Sequence, residues 1–212
     1  MQLSTRKWLE LHHELEGWKE KYATLMDDSF PVGRHENWKA CQALFPHAQA
    51  AVAWRPTNNT YLVAWASVLF KAGWYAREMG NYHAAKEMEQ GALEAREATL
   101  GLEHPDTLNS VNGLGLVLWS QGKYEEAEVM HRRALEGREK VLGPEHPDTL
   151  TSVSCLGSVL SRQGKYEKAE VMHRRALEGY ENVLGPEHPD TLTSVSCLGS
   201  VLSRQGKYER QR

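Results

Sequence analysis

Two sets of apolar residues in the stretch 104–145 follow the period of an α-helix. They are Leu108, Val111, Leu114 and Leu118 in the first set, and Ala127, Met130, Ala134 and Leu135 in the second. We expect Asp106 to cap the first helix and Gly122 to end it in the left-handed conformation. The second helix is predicted from about Tyr124 to Val141, before Gly143-Pro144. The pattern therefore predicts a pair of antiparallel helices, which we call helix A and helix B.

This helix pair recurs with a period of 42 residues, because His-Pro-Asp-Thr-Leu begins at positions 104, 146 and 188. The first two full copies differ at only nine positions, and 188–208 repeats 146–166 letter for letter. Such repeats bury their apolar faces on their neighbours, which predicts an all-α array. The expected domains are an N-terminal helical connector or cap in 1–60, a degenerate repeat in 62–103, full repeats in 104–145 and 146–187, and helix A of a partial repeat in 188–212.

The first sixty residues do not repeat, but they also show helical spacing. Apolar side chains step by three and four residues along one helix of about 20 residues; they are Trp8, Leu11, Leu15, Trp18, Tyr22 and Leu25. Ser4 is the expected cap of this helix, and a second helix is predicted near 36–54, bent or split around Pro46. We interpret the segment as a cap on the first repeat, with a coiled-coil dimer seam as the alternative.

Composition excludes several classes of protein. The net charge of −3 provides no basic surface for nucleic acid. No apolar run is long enough to span a bilayer, and the N-terminus lacks the apolar core of a signal peptide. Three cysteines without a pairing pattern favour a reducing compartment. A cytoplasmic protein without membrane or nucleic-acid partners is expected.

Candidate chemistry is sparse despite ten histidines. His12-His13-Glu14 lacks the spacing of a zinc-binding helix, and no other set of ligands has metal spacing. The histidines of the His-Pro-Asp turns are periodic and therefore structural. Cys155 and Cys197 have no adjacent base to activate them. We predict no cofactor, no metal site and no enzymatic activity.

The order Leu114-Gly115, Gly122, Tyr124, Ala127, Ala134 resembles the tetratricopeptide repeat. The 42-residue period and the Leu-Gly-Pro-Glu-His-Pro-Asp link are similar to those of the kinesin-light-chain variety. The resemblance implies a right-handed superhelical solenoid whose helices A line a concave groove. His131 and Val111 stand where the pattern usually has aromatic residues. The asparagine with which many members grip a ligand backbone is absent, so ligands of the family are not transferred.

Six of the nine differences between the full repeats trace one stripe on helix A. They are Asn109→Thr151, Asn112→Ser154, Gly113→Cys155, Leu116→Ser158, Trp119→Ser161 and Ser120→Arg162. The stripe is interpreted as the groove, and drift on an idle surface is the alternative. Projected along the chain, the predicted groove comprises Phe70, Lys71, Trp74, Arg77, Asn109, Asn112, Leu116, Trp119, Ser158, Arg162 and Arg204.

This composition of the groove predicts a scaffold that binds a peptide or protein segment with an apolar anchor and acidic flanks. For Trp74 the alternative to a groove residue is a core residue of an atypical end repeat. Trp119 aligns with Ser161 and Ser203, and a core position would not alternate in this way.

The N-terminal segment resembles the connector of fungal NOD-like receptors, which are STAND NTPases. The resemblance rests on Thr5-Arg6-Lys7-Trp8-Leu9-Glu10, Phe30-Pro31, Asn37-Trp38, Cys41-Gln42, Leu44 and Pro46-His47-Ala48. It implies repeats that sense a ligand and couple it to an NTPase, yet this sequence has no phosphate-binding Gly-x-x-x-x-Gly-Lys motif. The alternative function is therefore the sensor or assembly portion of such a receptor, acting through self-association.

The last repeat stops after helix A, which leaves Val195, Leu198, Leu202 and Tyr208 without their expected partner. The helix is expected to fray, to be covered by another chain, or to continue into a longer array. We expect a fragment or a truncated paralogue, with self-association through the C-terminal half-repeat.

Overall fold

A computed structural model describes residues 14–209, with side chains to residue 206. The described part contains helices and no strand, which confirms the all-α prediction. The helices are α1 (Leu15–Ser29), α2 (Trp38–Val52), α3 (Asn59–Glu78), α4 (Tyr82–Leu100), α5 (Pro105–Ser120), α6 (Tyr124–Leu142), α7 (Pro147–Arg162), α8 (Tyr166–Leu184) and α9 (Pro189–Glu209), with a 3₁₀ turn at His35–Asn37. The predicted roles of Ser4, Trp8, Leu11 and the Tyr208 side chain fall outside this part.

The chain forms two compact units, and the division lies between Leu102 and Glu103. The N-terminal unit contains α1 to α4, and α3 and α4 pack together as the helix pair of the degenerate repeat. The C-terminal unit contains the pairs α5–α6 and α7–α8, followed by α9, which packs on α8. Each helix pair is thus one repeat of the sequence.

The turns follow the repeat period. Gly122 adopts φ +77° after α5, as predicted, and Gly164 repeats this after α7. The predicted cap of α5 is wrong: the N-cap is His104, whose Nδ1 accepts the backbone N–H of Asp106 at 3.1 Å. Pro105 occupies the first helical position, which favours the cap one residue before it. The same bond recurs at His146 and His188.

Within each helix pair, a glycine of helix A faces a large polar residue of helix B. A Cβ at Gly115 would lie 2.7 Å from His131 Cε1, and one at Gly157 would lie 2.9 Å from His173 Cε1. In the degenerate repeat, a Cβ at Gly73 would lie 3.0 Å from Cγ of Glu89. Glu89, His131 and His173 are spaced by 42 residues, so they occupy the same position of successive repeats, and all three are buried. The close approach of the two helices therefore depends on glycine.

The N-terminal helix α1 packs with its Ala23 and Met26 in a cluster that includes α3 residues. Of the predicted apolar seam, Tyr22 packs against this cluster, whereas Trp18 and Leu25 are exposed. Small Ala23 allows closer packing than the larger side chains of the seam. Helix α2 runs unbroken through Pro46, so the predicted split is absent.

Candidate functional site

In the C-terminal unit, helices A lie side by side, with α7 in contact with both α5 and α9. Their shared face carries five of the predicted groove residues, and we call it the helix A surface. It consists of Leu116, Trp119, Ser158, Arg162 and Arg204, each at least partly exposed. Helix packing thus brings together residues that are 88 positions apart in the chain, from Leu116 to Arg204.

The Trp119–Arg162 pair is the most distinctive feature of the helix A surface. The guanidinium carbon of Arg162 lies 5.4 Å from the centroid of the Trp119 ring, in cation–π contact. Nε1 of Trp119 is enclosed and has no hydrogen-bond partner. A buried donor without an acceptor is unfavourable. The site therefore holds an unsatisfied donor on a ring that a guanidinium contacts.

The next repeat has the same geometry with a smaller residue. Arg204 of α9 approaches Ser161 of α7, with Nη1 3.4 Å from Oγ. Ser161 is equivalent to Trp119, as Arg204 is to Arg162. The backbone therefore accommodates serine at this position, and the fold does not require tryptophan at 119.

Two predicted groove residues are held within the repeat. Asn112 is buried, and its Oδ1 lies 2.9 Å from Nδ1 of His131. Asn109 accepts a hydrogen bond of 2.5 Å from Nη2 of Arg138. Asn112 is therefore not available to a ligand, contrary to the prediction, and Asn109 is engaged by helix B. The stripe of substitutions extends beyond the accessible face because it includes contacts between helices A and B.

The predicted groove residues of the N-terminal unit are mostly engaged inside that unit. Lys71 donates to both Oδ1 and the backbone oxygen of Asp27, at 2.7 and 2.8 Å. The guanidinium carbon of Arg96 lies 4.7 Å from the Phe70 ring centroid. Arg77 pairs with the neighbouring Glu78 at 2.6 Å. Half-buried Trp74 lies on the same helix. Helix α1 thus occupies part of this face.

Sequence reasoning missed Arg138, which joins three helices. Besides Asn109, its guanidinium donates to the backbone oxygen of Asp148 and to Oγ of Ser152, both at 2.8 Å. Burial lowers the pKa of Arg138. The equivalent residue Tyr180 pairs with Thr151, with 2.9 Å between the two hydroxyl oxygens. The sequence did contain a sign of this contact, since the residues at positions 109 and 138 both change between the two full repeats.

The described residues show little that favours catalysis. They contain no group of three or more His, Cys, Asp or Glu side chains that could hold a metal ion. Burial lowers the pKa of His131 to about 4, with the charge of Arg138 adding to the effect, and also lowers that of His173. Burial raises the pKa of the Cys197 thiol, which disfavours the nucleophilic thiolate.

A shallow depression of about 440 Å³ lies away from the helix A surface. Helices α6, α7 and α8 line it with Arg132, Leu156, Leu160, Glu167, Lys168, Val171 and Met172. None of these belongs to the predicted groove. No helix among the described residues has the length and apolarity to cross a membrane.

Solved structures support the fold at low sequence identity. BtubC (BKLC) from P. vanneervenii aligns with a TM-score of 0.67 at 20% identity, over 97% of this chain and 81% of that one. A Podosopora anserina protein, described as kinesin light chain with nearly identical TPR-like repeats, aligns at 0.59 with 19% identity, over 82% and 88% of the two chains. The chain therefore resembles repeat proteins of the kinesin-light-chain type.

A curated relative agrees with the second resemblance drawn from the sequence. A nucleotide-binding leucine-rich repeat (NLR)-like protein from Hyaloscypha variabilis is 35% identical over 112 residues, which cover 53% of this chain. The match covers only 11% of that protein.

Family models settle the classification of the repeats. Two models described as tetratricopeptide repeat match residues 71–106 and 107–148, and residues 148–210. Together the matches extend from residue 71 to residue 210, from within the degenerate repeat to the partial one. The chain thus belongs to the tetratricopeptide-repeat family, whose repeats form protein-interaction scaffolds.

Proposed function

We propose that this protein is a non-catalytic scaffold that binds a peptide segment on the helix A surface of its C-terminal unit. The ligand is an extended or helical segment with an apolar anchor and acidic flanks. The observation that carries the proposal is the pairing of Arg162 with Trp119, whose Nε1 lacks an acceptor. Three cysteines, an odd number without a pairing pattern, support the cytoplasm as its location.

The apolar anchor follows from Trp119 and its neighbour Leu116 on α5. Tryptophan and arginine are the residues that contribute most to binding at interfaces. The equivalent residue Ser161 shows that the fold tolerates serine at this position. The Trp119 side chain therefore adds apolar surface that is not needed for packing the repeat. A ligand side chain placed against the ring would replace the contact that Arg162 now makes.

Acidic flanks follow from the two arginines. Neither Arg162 nor Arg204 forms an ion pair with a carboxylate among the described residues. A ligand carboxylate could draw Arg162 away from the ring and accept from its guanidinium in a charge-assisted bond. We propose that Nε1 of Trp119, which is enclosed and without an acceptor in the free protein, then donates to a ligand oxygen.

The test is a peptide-display selection on the parent protein and on a Trp119→Ser variant. Serine is chosen because the equivalent Ser161 shows that the fold tolerates it. Peptides enriched by the parent should bind the variant at least about tenfold more weakly. Arg162→Glu should remove the preference for acidic flanks. The matched control is Trp18→Ala, which removes an exposed tryptophan from the N-terminal unit.

The proposal is wrong if the parent enriches no peptide, or if parent and Trp119→Ser enrich the same sequences with equal affinity. Circular dichroism of both proteins distinguishes lost binding from lost folding. Equal helicity with lost binding assigns the site to Trp119.

A second candidate function is the sensor or assembly portion of an NLR-like receptor, and the similarity to the Hyaloscypha variabilis protein favours it. In this case the main contact is with another subunit. Substitutions on the helix A surface would leave that contact intact, whereas substitutions on α1 or α9 would disrupt it. Light scattering over a range of concentrations tests whether the chain self-associates.

A further inference from the structure

The polar side chains that could hold an extended ligand are engaged by the fold. An extended segment needs partners for the backbone groups that it buries, whereas a helix pairs these groups within itself. On the stripe of substitutions, the amides of Asn109 and Asn112 are hydrogen-bonded to helix B. The hydroxyls of Ser120 and Ser158 donate to backbone oxygens of their own helices, at 2.9 and 3.1 Å. The surface is therefore better suited to a ligand that satisfies its own backbone.

The spacing of the two arginines on the helix A surface also bears on the ligand. Arg162 and Arg204 occupy the same position of successive repeats. Packed helices have axes about 10 Å apart, so we expect the carboxylates that meet both arginines to be separated by about 10 Å. An α-helix covers this distance in about seven residues, which is two turns and returns to the same face. An extended chain covers it in about three residues, and residues at this spacing point to opposite faces. The spacing therefore favours a helix.

Within the N-terminal unit, a helix already packs on a helix A. Lys71 of α3, which is equivalent to Gly113 on the stripe, donates to Oδ1 and to the backbone oxygen of Asp27 in α1, at 2.7 and 2.8 Å. Ala23 and Met26 of α1 are buried in the cluster that includes α3 residues. A helix A of this chain thus receives a helix that presents apolar side chains and a carboxylate.

We propose that the segment bound by the helix A surface is an amphipathic α-helix with two acidic residues about two turns apart. This inference rests on the proposed function and narrows its ligand. One carboxylate pairs with Arg162 and the other with Arg204. The apolar anchor lies about one turn beyond the first carboxylate, against Trp119 and Leu116, because α5 and α9 contact α7 from its two sides.

The experiment uses fluorescein-labelled peptides of about 20 residues in a helix-forming alanine–glutamine host. The probe carries Leu-x-x-x-Glu-x-x-x-x-x-x-Glu, and a second probe carries the same pattern in the reverse direction. Anisotropy during titration with the full chain should show saturable binding of at least one probe. A control peptide of the same composition has the Glu that is distant from Leu shifted by two positions, which moves it to another face of the helix. We expect this control to bind about tenfold more weakly.

A second control separates a helical ligand from an extended one. It is the binding probe with proline in place of one host residue between the two glutamates. Proline breaks the helix and leaves both charges in place. We expect affinity to fall by at least about tenfold, because the two carboxylates then no longer share one face.

On the protein, Arg204→Ala should remove the difference between the probe and the shifted control, because the second glutamate then has no partner. Its affinity for the probe should fall about tenfold. Arg174→Ala is the matched control, since it removes an exposed arginine of helix B that pairs with Glu170 at 2.9 Å. This variant should bind the probe like the parent. Circular dichroism should show equal helicity for the parent and both variants.

The inference is overturned if neither probe binds, or if the shifted or proline-containing peptide binds as tightly as the probe. These outcomes differ from a failure of the proposed function. If the display selection yields peptides that depend on Trp119 and tolerate proline between anchor and acid, the scaffold function stands and its ligand is extended. If the selection enriches no peptide that depends on Trp119 and neither probe binds, both fail.

Discussion

A single position of helix B shows how each repeat tolerates a buried polar residue. Glu89, His131 and His173 occupy this position, each against a glycine of helix A. Burial favours the uncharged form in every case. It raises the pKa of Glu89 to about 8, against the opposing effect of Arg77 and Arg96, and lowers that of His131 to about 4. The side chain at this position is therefore uncharged near neutral pH, whether it is a glutamate or a histidine.

We expect the stability of the N-terminal unit to fall as pH rises, because of Glu89. The unfolded carboxyl ionises above its ordinary pKa of 4.5, whereas the folded one stays protonated up to about pH 8. The contribution of Glu89 is therefore complete below 4.5 and is lost progressively between pH 4.5 and 8. Glu89→Gln should remove this dependence and stabilise the protein at pH 7 by on the order of 3 kcal/mol.

Thermal unfolding of the parent and of Glu89→Gln at intervals from pH 5 to pH 8 would measure this effect. Glu87→Gln is the control, because the neighbouring Glu87 is exposed. Parallel pH profiles for the parent and Glu89→Gln would show that Glu89 does not titrate in this range. His131 acts in the opposite direction, since its contribution is lost as pH falls from 6.5 towards 4.

Residue patterns in the sequence predicted the left-handed glycines but missed the cap. Gly122 was predictable because few other residues adopt a positive φ at a helix end. The His104 cap was not, because histidine is an uncommon cap and Asp106 matched the usual preference. Asn112 was misplaced for a related reason. Asn112 lies on the stripe of helix A where the repeats differ, and a polar residue there is expected to be accessible. Only the contact with His131 shows that it is buried.

Elements are joined by residue pairs that change together. Asn109 and Arg138 of the first full repeat become Thr151 and Tyr180 in the second, and each pair forms a hydrogen bond between helix A and helix B. The two different pairs occupy equivalent positions of the two full repeats. This pattern indicates that the residues at the two positions depend on each other: the fold accommodates either matched pair.

A double-mutant cycle tests this coupling. Arg138→Tyr alone should destabilise by about 1–3 kcal/mol, because Asn109 loses its donor and the bonds to Asp148 and Ser152 are lost. Adding Asn109→Thr should recover part of the loss, with a coupling energy of about 0.5–2 kcal/mol. Urea denaturation provides the measurement. Glu126→Lys, an exchange at an exposed position, should change stability by less than about 0.5 kcal/mol. Strict additivity would contradict the coupling.

One sequence adopts two conformations at the end of helix A. Gly164 has φ +77° and lies in the turn after α7, whereas the equivalent Gly206 is inside α9. Nothing lies within 4 Å of a Cβ at either glycine. The letters before both glycines are identical, so the packing of helix B against α7 selects the turn. The sequence pattern does not distinguish the two glycines, because it contains no information about this packing.

The matched substitutions Gly164→Ala and Gly206→Ala should therefore have opposite effects. At Gly164, alanine should cost about 1 kcal/mol because of the positive φ. At Gly206, alanine should stabilise α9 by about 1 kcal/mol through its higher helix propensity. Urea denaturation measures the first change, and amide hydrogen exchange in α9 measures the second. Losses of equal size at both sites would show that Gly206 also lies in a turn.

At the scale of the whole molecule, periodicity was the strongest signal. Near-identical copies revealed the helix pairs, the turns and the family, because each copy confirms the pattern of the others. The candidate site was predictable only in part. Trp119 and Arg162 stood out by their difference from equivalent residues, but their contact depends on how α5 and α7 pack. The role of α1 beside Lys71 was hidden, since no copy of α1 exists for comparison.

The contacts of Arg138 have a consequence for the history of the chain. Arg138 reaches the following repeat through a backbone oxygen and through Ser152, and the equivalent serines Ser110 and Ser194 are present in the neighbouring copies. Whatever copy follows would supply the same acceptors. An in-frame gain or loss of 42 codons would therefore leave a sound junction behind. At the contacts of Arg138, a change in the length of the array by one repeat would therefore need no compensating substitution.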